Sequence, residues 1–86
     1  MTVKDTCEYG LYYLNAGDKR DNAHYCATLR SLEEAKNRAL ESFKYNDNTN
    51  GKYIITLINN NHERDFLDIV RESIDTVSIS FSKYII

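Results

Sequence analysis

The chain has 86 residues, of which 42% are hydrophobic and 28% are charged, and its formal net charge is −2. This composition is ordinary for a folded globular protein and argues against a disordered, collagen-like or coiled-coil chain, while the length fits one small domain spanning residues 1–86. The slightly acidic balance argues against a protein that coats nucleic acid through bulk charge.

The first predicted elements are two antiparallel strands joined by a polar turn. Glu8–Leu14 is rich in tyrosine and leucine, and His24–Leu29 follows after a segment dominated by asparagine, glycine and charged residues. In such a hairpin Cys26 falls opposite Leu11, so Cys7 and Cys26 do not face each other, and two cysteines are too few for a disulfide scaffold or a thiolate zinc site. We expect both to be reduced and buried as small apolar residues.

A helix of about three turns is predicted next. Ser31-Leu32-Glu33-Glu34 forms a capping box, in which Ser31 accepts a hydrogen bond from the amide of Glu34. The residues that follow at helical spacing form one apolar stripe: Leu32, Ala35, Ala39, Leu40 and Phe43.

The second half of the chain predicts two further strands and a short helix. Lys52–Ile58 is rich in β-branched residues and indicates a strand, and the spacing of the apolar residues from Phe66 to Ile74 favours a helix over alternation. From Val77 to Phe81 apolar residues alternate with serines, which predicts a half-buried strand. Two asparagine clusters predict turns: Asn46, Asn48 and Asn50, then Asn59, Asn60 and Asn61.

The element order β-β-α-β-(α)-β predicts a single α+β domain, with an antiparallel or mixed sheet and helices packed on one face. The opposite face would carry Ser78, Ser80 and Ser82 together with some of the tyrosines, and it would be left open. This open face is the main structural indication of function.

No enzyme or cofactor motif is found. His24 and His62 lie outside any recognisable nucleophile–base pattern, so we assign no catalytic residue. The segment 46–51 resembles the start of a calcium loop, but Leu57 stands where a bidentate glutamate is required, so no metal site is predicted. Three glycines cannot build a phosphate-binding loop, and we therefore expect a non-enzymatic protein without a cofactor.

A basic and aromatic cluster is predicted at one end of the molecule, where the first turn, the helix C-terminus and the start of the third strand meet. It collects Lys19, Arg20, Lys44, Lys52, Tyr45 and Tyr53. Such a set is typical of surfaces that bind single-stranded RNA, and it would serve a protein partner equally. Three aspartates in the same loops, Asp18, Asp21 and Asp47, offset most of this charge, and Tyr53 fits the core as well as the surface.

The chain shows neither an apolar run long enough to cross a membrane nor the apolar core of a secretion signal, so we expect a cytoplasmic protein. The C-terminal residues Tyr84, Ile85 and Ile86 are bulky and apolar. Either they are buried within the monomer, or the last strand is an edge covered by a partner or by a second subunit in a homodimer.

Residues 8–14, 31–36 and 51–55, read as EYGLYYL, SLEEAK and GKYII, resemble the small accessory proteins of T4-like bacteriophages, over about residues 8–58. The resemblance implies an early, host-takeover or counter-defence protein of the host bacterial cytoplasm, which binds a host protein and does not catalyse a reaction. Some such proteins antagonise toxin–antitoxin endoribonucleases, and some of those act while bound to RNA. No functional residue is carried over, because none of these residues is diagnostic.

Two hypotheses follow. The first is a non-enzymatic binding protein that inhibits or redirects a host factor, such as a defence-system protein, through the open sheet face or the loop-rich end. The alternative is an RNA-binding module that acts through the basic cluster and inhibits an RNase toxin while bound to RNA.

Overall fold

The computed structural model of the protein describes residues 7–45, 51–73 and 76–82. Within these ranges the chain forms β1 (Glu8–Leu14), a short 3-10 helix (Arg20–Asn22), β2 (His24–Leu29), α1 (Leu32–Tyr45), β3 (Lys52–Asn59), β4 (His62–Arg71) and β5 (Val77–Phe81). The strands form one antiparallel sheet in the order β2-β1-β3-β4-β5, and α1 packs on one face of it. The predicted α+β class is confirmed.

The helix begins where the capping box predicts. The Ser31 hydroxyl accepts from the Glu34 amide at 3.1 Å and donates to the Glu34 carboxylate at 3.3 Å. At the other end, the Arg71 guanidinium donates to the Phe43 carbonyl at 3.0 Å, which satisfies one of the acceptors that a helix end leaves without an intrahelical partner. Both ends of α1 are thereby anchored.

The core lies between α1 and the sheet. It contains the predicted helical stripe and the inward residues of the strands: Leu11, Leu29, Ala35, Ala39, Phe43, Tyr53, Ile55, Leu67 and Ile69. The Tyr53 ring lies 5.1 Å from the Tyr13 ring and 5.0 Å from the Phe43 ring, measured between centroids. Aromatic packing therefore joins the start of β3 to the last turns of α1.

The prediction of a second helix is wrong, because His62–Arg71 is the strand β4. The register between β3 and β4 shifts at Ile55 and Thr56, which leaves Phe66 as an extra residue in β4. A β-bulge of this kind brings two consecutive residues to one side of the sheet, and both Phe66 and Leu67 pack against the core. The bulge breaks the alternation and gives the apolar residues a spacing that imitates a helix.

The predicted turn at residues 59–61 is confirmed. Asn59 pairs with His62, so Asn60 and Asn61 form a two-residue hairpin loop, and both have positive φ, 51° and 66°. This backbone conformation suits the twist of an antiparallel hairpin, and asparagine tolerates it better than most residues do.

Both cysteines are free, as predicted, but Cys26 is exposed and not buried. The register between β1 and β2 shifts so that Leu11 pairs with Ala27 while Tyr12 pairs with Tyr25. Cys26 is the extra residue of a second bulge, and it does not face Leu11.

Several predictions concern residues outside the described ranges: the turn at Asn46, Asn48 and Asn50, the position of Ile74, and the burial of Tyr84, Ile85 and Ile86. Within the described ranges, no helix has the length and apolar character of a membrane span.

Replacing Phe43 with alanine is expected to reduce the free energy of unfolding by about 3–5 kcal/mol, because a buried aromatic side chain leaves a cavity. Tyr45→Ala is the matched control on the same helix, since Tyr45 is 84% exposed and should change stability by less than about 0.5 kcal/mol. Urea unfolding of both variants measures the difference. Equal stabilities would contradict the placement of the helix stripe in the core.

Candidate functional site

The face of the sheet opposite α1, called here the open face, carries polar and aromatic side chains together with a few aliphatic ones. Strand alternation places the predicted serines on it, together with residues from every strand: Glu8, Gly10, Tyr12, Leu14, Tyr25, Thr28, Lys52, Ile54, Thr56, Ile58, Glu63, Asp65, Asp68, Val70, Ser78, Ser80 and Ser82. The loop between β1 and β2 folds partly over this face. Its side chains therefore meet residues of β3 and β4.

The Arg20 guanidinium binds the Asp65 carboxylate through two of its nitrogens. Nε lies 2.9 Å from Oδ2, and Nη2 lies 2.8 Å from Oδ1. The same guanidinium lies over the Tyr12 ring, with Cζ 4.9 Å from the centroid. A bidentate ion pair and a cation–π contact thus fix the loop between β1 and β2 onto β4, across the intervening strand β3.

A second acidic residue of β4, Glu63, is bound by two hydroxyl groups. Tyr12 Oη donates to Oε2 at 2.9 Å, and Thr56 Oγ1 donates to the same oxygen at 2.6 Å. These groups meet directly above Gly10, where a Cβ would lie 2.5 Å from Thr56 Oγ1. The absence of a side chain at Gly10 therefore makes this hydrogen-bond network sterically feasible.

The third acidic residue of β4, Asp68, accepts from Lys52 Nζ at 3.0 Å and from Ser82 Oγ at 2.7 Å. A cavity of about 230 Å³ lies between this group and the Arg20–Asp65 pair, and its walls include the apolar residues Leu14 and Ile54. In the described part of the chain, every buried polar side-chain atom has a hydrogen-bond partner. The polar network of the open face is thus internally satisfied.

Tyr25 is the exposed end of this network. Its side chain is 61% exposed, its ring meets the Tyr12 ring edge to face at 5.7 Å, and its hydroxyl pairs with the Thr28 hydroxyl at 2.7 Å. Tyr25, Tyr12, Arg20 and Asp65 therefore form one continuous array, which we call the tyrosine–arginine array. Tyrosine and arginine, together with tryptophan, are the residue types enriched among the hot spots of protein interfaces.

No family model, characterised protein or solved structure matches this chain. The role of the open face is therefore inferred from its own chemistry. Among the described residues no group of three or more histidine, cysteine and acidic side chains is arranged to hold a metal ion.

The environment of Tyr12 shifts its acid–base equilibrium. Partial burial and the hydrogen bond to Glu63 raise the pKa of Tyr12 to about 12, and the charge of Glu63 adds to the effect. The Arg20 cation opposes it to a smaller extent. The phenol is thus held in its neutral, hydrogen-donating form.

The predicted basic cluster is only partly assembled. The loop after β1 and the start of β3 share one end of the sheet, since Leu14 pairs with Lys52. Arg20 and Lys52 lie on the open face with acidic partners. Lys44 and Tyr45 end α1 on the opposite side of the sheet, and Lys19 is exposed in the loop.

Tyr53 does not belong to this cluster. It is buried beneath α1 and cannot offer its ring to a base or a partner, so its inclusion among the predicted binding residues is wrong. Alternation explains its position, because it lies one residue after Lys52 and therefore points to the other face.

Sequence reasoning placed tyrosines on the open face without identifying Tyr12 and Tyr25, and it missed the three acids of β4 as site residues. A strand interpretation of residues 62–71 would have placed Glu63 and Asp65 on one face, but the bulge at Phe66 concealed that strand. Only the fold brings Asp65 to Arg20, 45 residues earlier in the chain.

Removing the Arg20 side chain is expected to destabilise the protein. Arg20→Ala leaves the part-buried Asp65 without its charged partner, which should cost about 1–3 kcal/mol, and Arg20→Lys should recover only part of this because it cannot form the bidentate pair. Lys19→Ala is the matched control at the neighbouring exposed position. If urea unfolding gave Arg20→Ala and Lys19→Ala the same stability, the ion pair would not hold the loop.

Replacing Glu63 with glutamine is expected to lower the pKa of Tyr12 from about 12 toward its ordinary value. The substitution removes the negative charge that opposes phenolate formation, while the hydrogen bond is weakened. Ultraviolet titration of Glu63→Gln and of the parent chain measures the shift, and Tyr12→Phe identifies the contribution of this one tyrosine. An unchanged high pKa in Glu63→Gln would show that burial alone causes the shift.

Proposed function

We propose that the chain is a non-enzymatic binding protein that contacts a protein partner through the open face. The observation that carries the proposal is the tyrosine–arginine array, in which the exposed Tyr25 is backed by Tyr12 and by the anchored Arg20. Side chains already held in one arrangement lose little conformational entropy when a partner binds. The array thus offers a rigid contact surface with the chemistry of an interface centre.

The charge of the open face favours a protein partner over RNA. Phosphate binding needs cations that are free to replace counterions, whereas Arg20 and Lys52 are each engaged by a carboxylate. The three acids of β4 also outnumber these two cations. The exposed residues of the predicted basic cluster, Lys19, Lys44 and Tyr45, lie apart from the array.

The resemblance to T4-like phage accessory proteins extends the proposal to the kind of partner. We expect a host protein of the bacterial cytoplasm, such as a defence-system protein, that is inhibited or redirected by binding. The alternative is that the chain binds RNA and inhibits an RNase toxin while it is bound to that RNA.

The proposal is tested with three tagged baits in bacterial lysate, with and without nuclease treatment: the parent chain, Tyr25→Ser and Tyr45→Ser. Tyr45 is the matched control, because it is an equally prominent tyrosine that lies outside the array. We expect a host protein to be captured by the parent chain and by Tyr45→Ser, and its recovery to fall at least about tenfold with Tyr25→Ser, as for an interface hot spot.

Equal recovery with all three baits would exclude the open face as the binding surface. Loss of capture on nuclease treatment, together with nucleic acid absorbance in the purified protein, would instead support the RNA-binding alternative. Circular dichroism of each bait confirms that the variants are folded.

A further inference from the structure

The strand β5 forms one edge of the sheet, and it carries apolar side chains that α1 does not cover. Ile79 is 44% exposed and Phe81 is 70% exposed. A groove of about 300 Å³ runs beside them and is lined by the N-terminal part of α1 and by Phe66. An exposed edge with apolar side chains is a template for pairing with another strand.

The hydrogen bonds on either side of β5 show which of its backbone groups face away from β4. The Ser82 amide donates to the Phe66 carbonyl at 2.9 Å, and the Glu72 amide donates to the Thr76 carbonyl at 2.8 Å. Because alternate residues of an antiparallel strand face the same neighbour, Ser78 and Ser80 also direct their backbone groups to β4. The outward amides and carbonyls therefore belong to Val77, Ile79 and Phe81.

We propose that the partner of this edge is a second copy of the chain, paired antiparallel with β5 about a two-fold axis at Ile79. This register sets Ile79 against Ile79 and Val77 against Phe81, and it uses all three outward residues in hydrogen-bonded pairs. On the other face it sets Ser78 against Ser80. If the two-fold axis passed through Ser78 or Ser80 instead, one of the three outward residues would have no hydrogen-bonded partner within Val77–Phe81.

The chemistry of β5 suits pairing with itself. The strand reads Val-Ser-Ile-Ser-Phe, so apolar residues meet apolar residues and hydroxyls meet hydroxyls when two copies run in opposite directions. It carries no charged residue, and two copies therefore meet without like-charge opposition. Charged residues are the usual protection of an edge against such pairing.

The other edge of the sheet is protected. The bulge at Cys26 interrupts β2, and bulged edges pair poorly with further strands. By contrast, β5 keeps a regular register from Val77 to Phe81. The second copy is therefore assigned to β5 and not to β2.

The contact is short. Each copy contributes five strand residues and one flanking groove, whereas a standard stable interface has about 20–30 residues on each side. We therefore expect a reversible dimer with a Kd in the micromolar range.

The two-fold axis stands perpendicular to the sheet, as in any antiparallel strand pair. Both helices then lie on one side and both open faces on the other, along one continuous sheet. The dimer is formed by the chain alone, so its test is independent of the partner in the proposed function. A dimer would present two tyrosine–arginine arrays on one side, which increases avidity for a repeated or symmetric partner.

The test uses a charge swap at Ile79 in the full chain, followed by sedimentation over concentrations from about 1 μM to 1 mM, which bracket a micromolar Kd. The parent chain should change from monomer to dimer in this range. Ile79→Lys and Ile79→Glu each place like charges opposite each other at the axis and should remain monomeric. An equimolar mixture of the two variants should restore a dimer, because opposite charges then meet.

Tyr45→Lys is the matched control, since it adds the same charge at an exposed aromatic position away from β5 and should dimerise like the parent chain. A parent chain that stays monomeric throughout, an Ile79→Lys variant that dimerises normally, or a mixture that fails to associate would each overturn the proposal. If circular dichroism shows that an Ile79 variant is unfolded, Phe81→Ser replaces it. That variant should weaken the dimer at least tenfold, and an unchanged Kd would overturn the proposal.

Discussion

The bidentate pairing of Arg20 with Asp65 holds the loop between β1 and β2 over part of the sheet face that α1 does not cover. A sheet face without a packed helix must meet water or be covered by its own side chains. Here the loop supplies part of that cover, since Arg20 lies over Tyr12 and binds β4 at the same time. The β1–β2 register sets Tyr12 against Tyr25, and the anchored Arg20 packs on the Tyr12 ring.

The width of the sheet explains why β5 is left exposed. Neighbouring strands lie about 4.8 Å apart, so five strands span roughly 19 Å between the edges, whereas a helix with its side chains is only about 10–12 Å across. One helix cannot cover the whole inner face. The apolar residues of β5 extend beyond the helix. Ile69 on β4 and its neighbour Ile79 on β5 lie on the same face, but Ile69 is buried and Ile79 is exposed.

Local patterns predicted the elements whose periodicity is uninterrupted. The apolar stripe of α1 keeps a helical spacing up to Phe43, and the residues of β5 alternate without interruption. The helix, which begins at its capping box, and the strand were therefore correctly predicted. The two errors in predicted local structure, at β4 and at Cys26, coincide with the two bulges. An extra residue at Phe66 gave β4 the spacing of a helix, and an extra residue at Cys26 changed the partner and exposure of that thiol.

Local sequence patterns were sufficient to predict the α+β class, the helix with its buried face, and the serine-bearing face of the last strand, because these depend on neighbours a few residues apart. Which charges are engaged and which tyrosines are exposed depends on contacts between distant parts of the chain. Arg20 and Asp65 are 45 residues apart, and Lys52 and Tyr53 are adjacent yet lie on opposite faces of the sheet. Such pairings depend on strand order and register, and these are set by the packing of the whole chain.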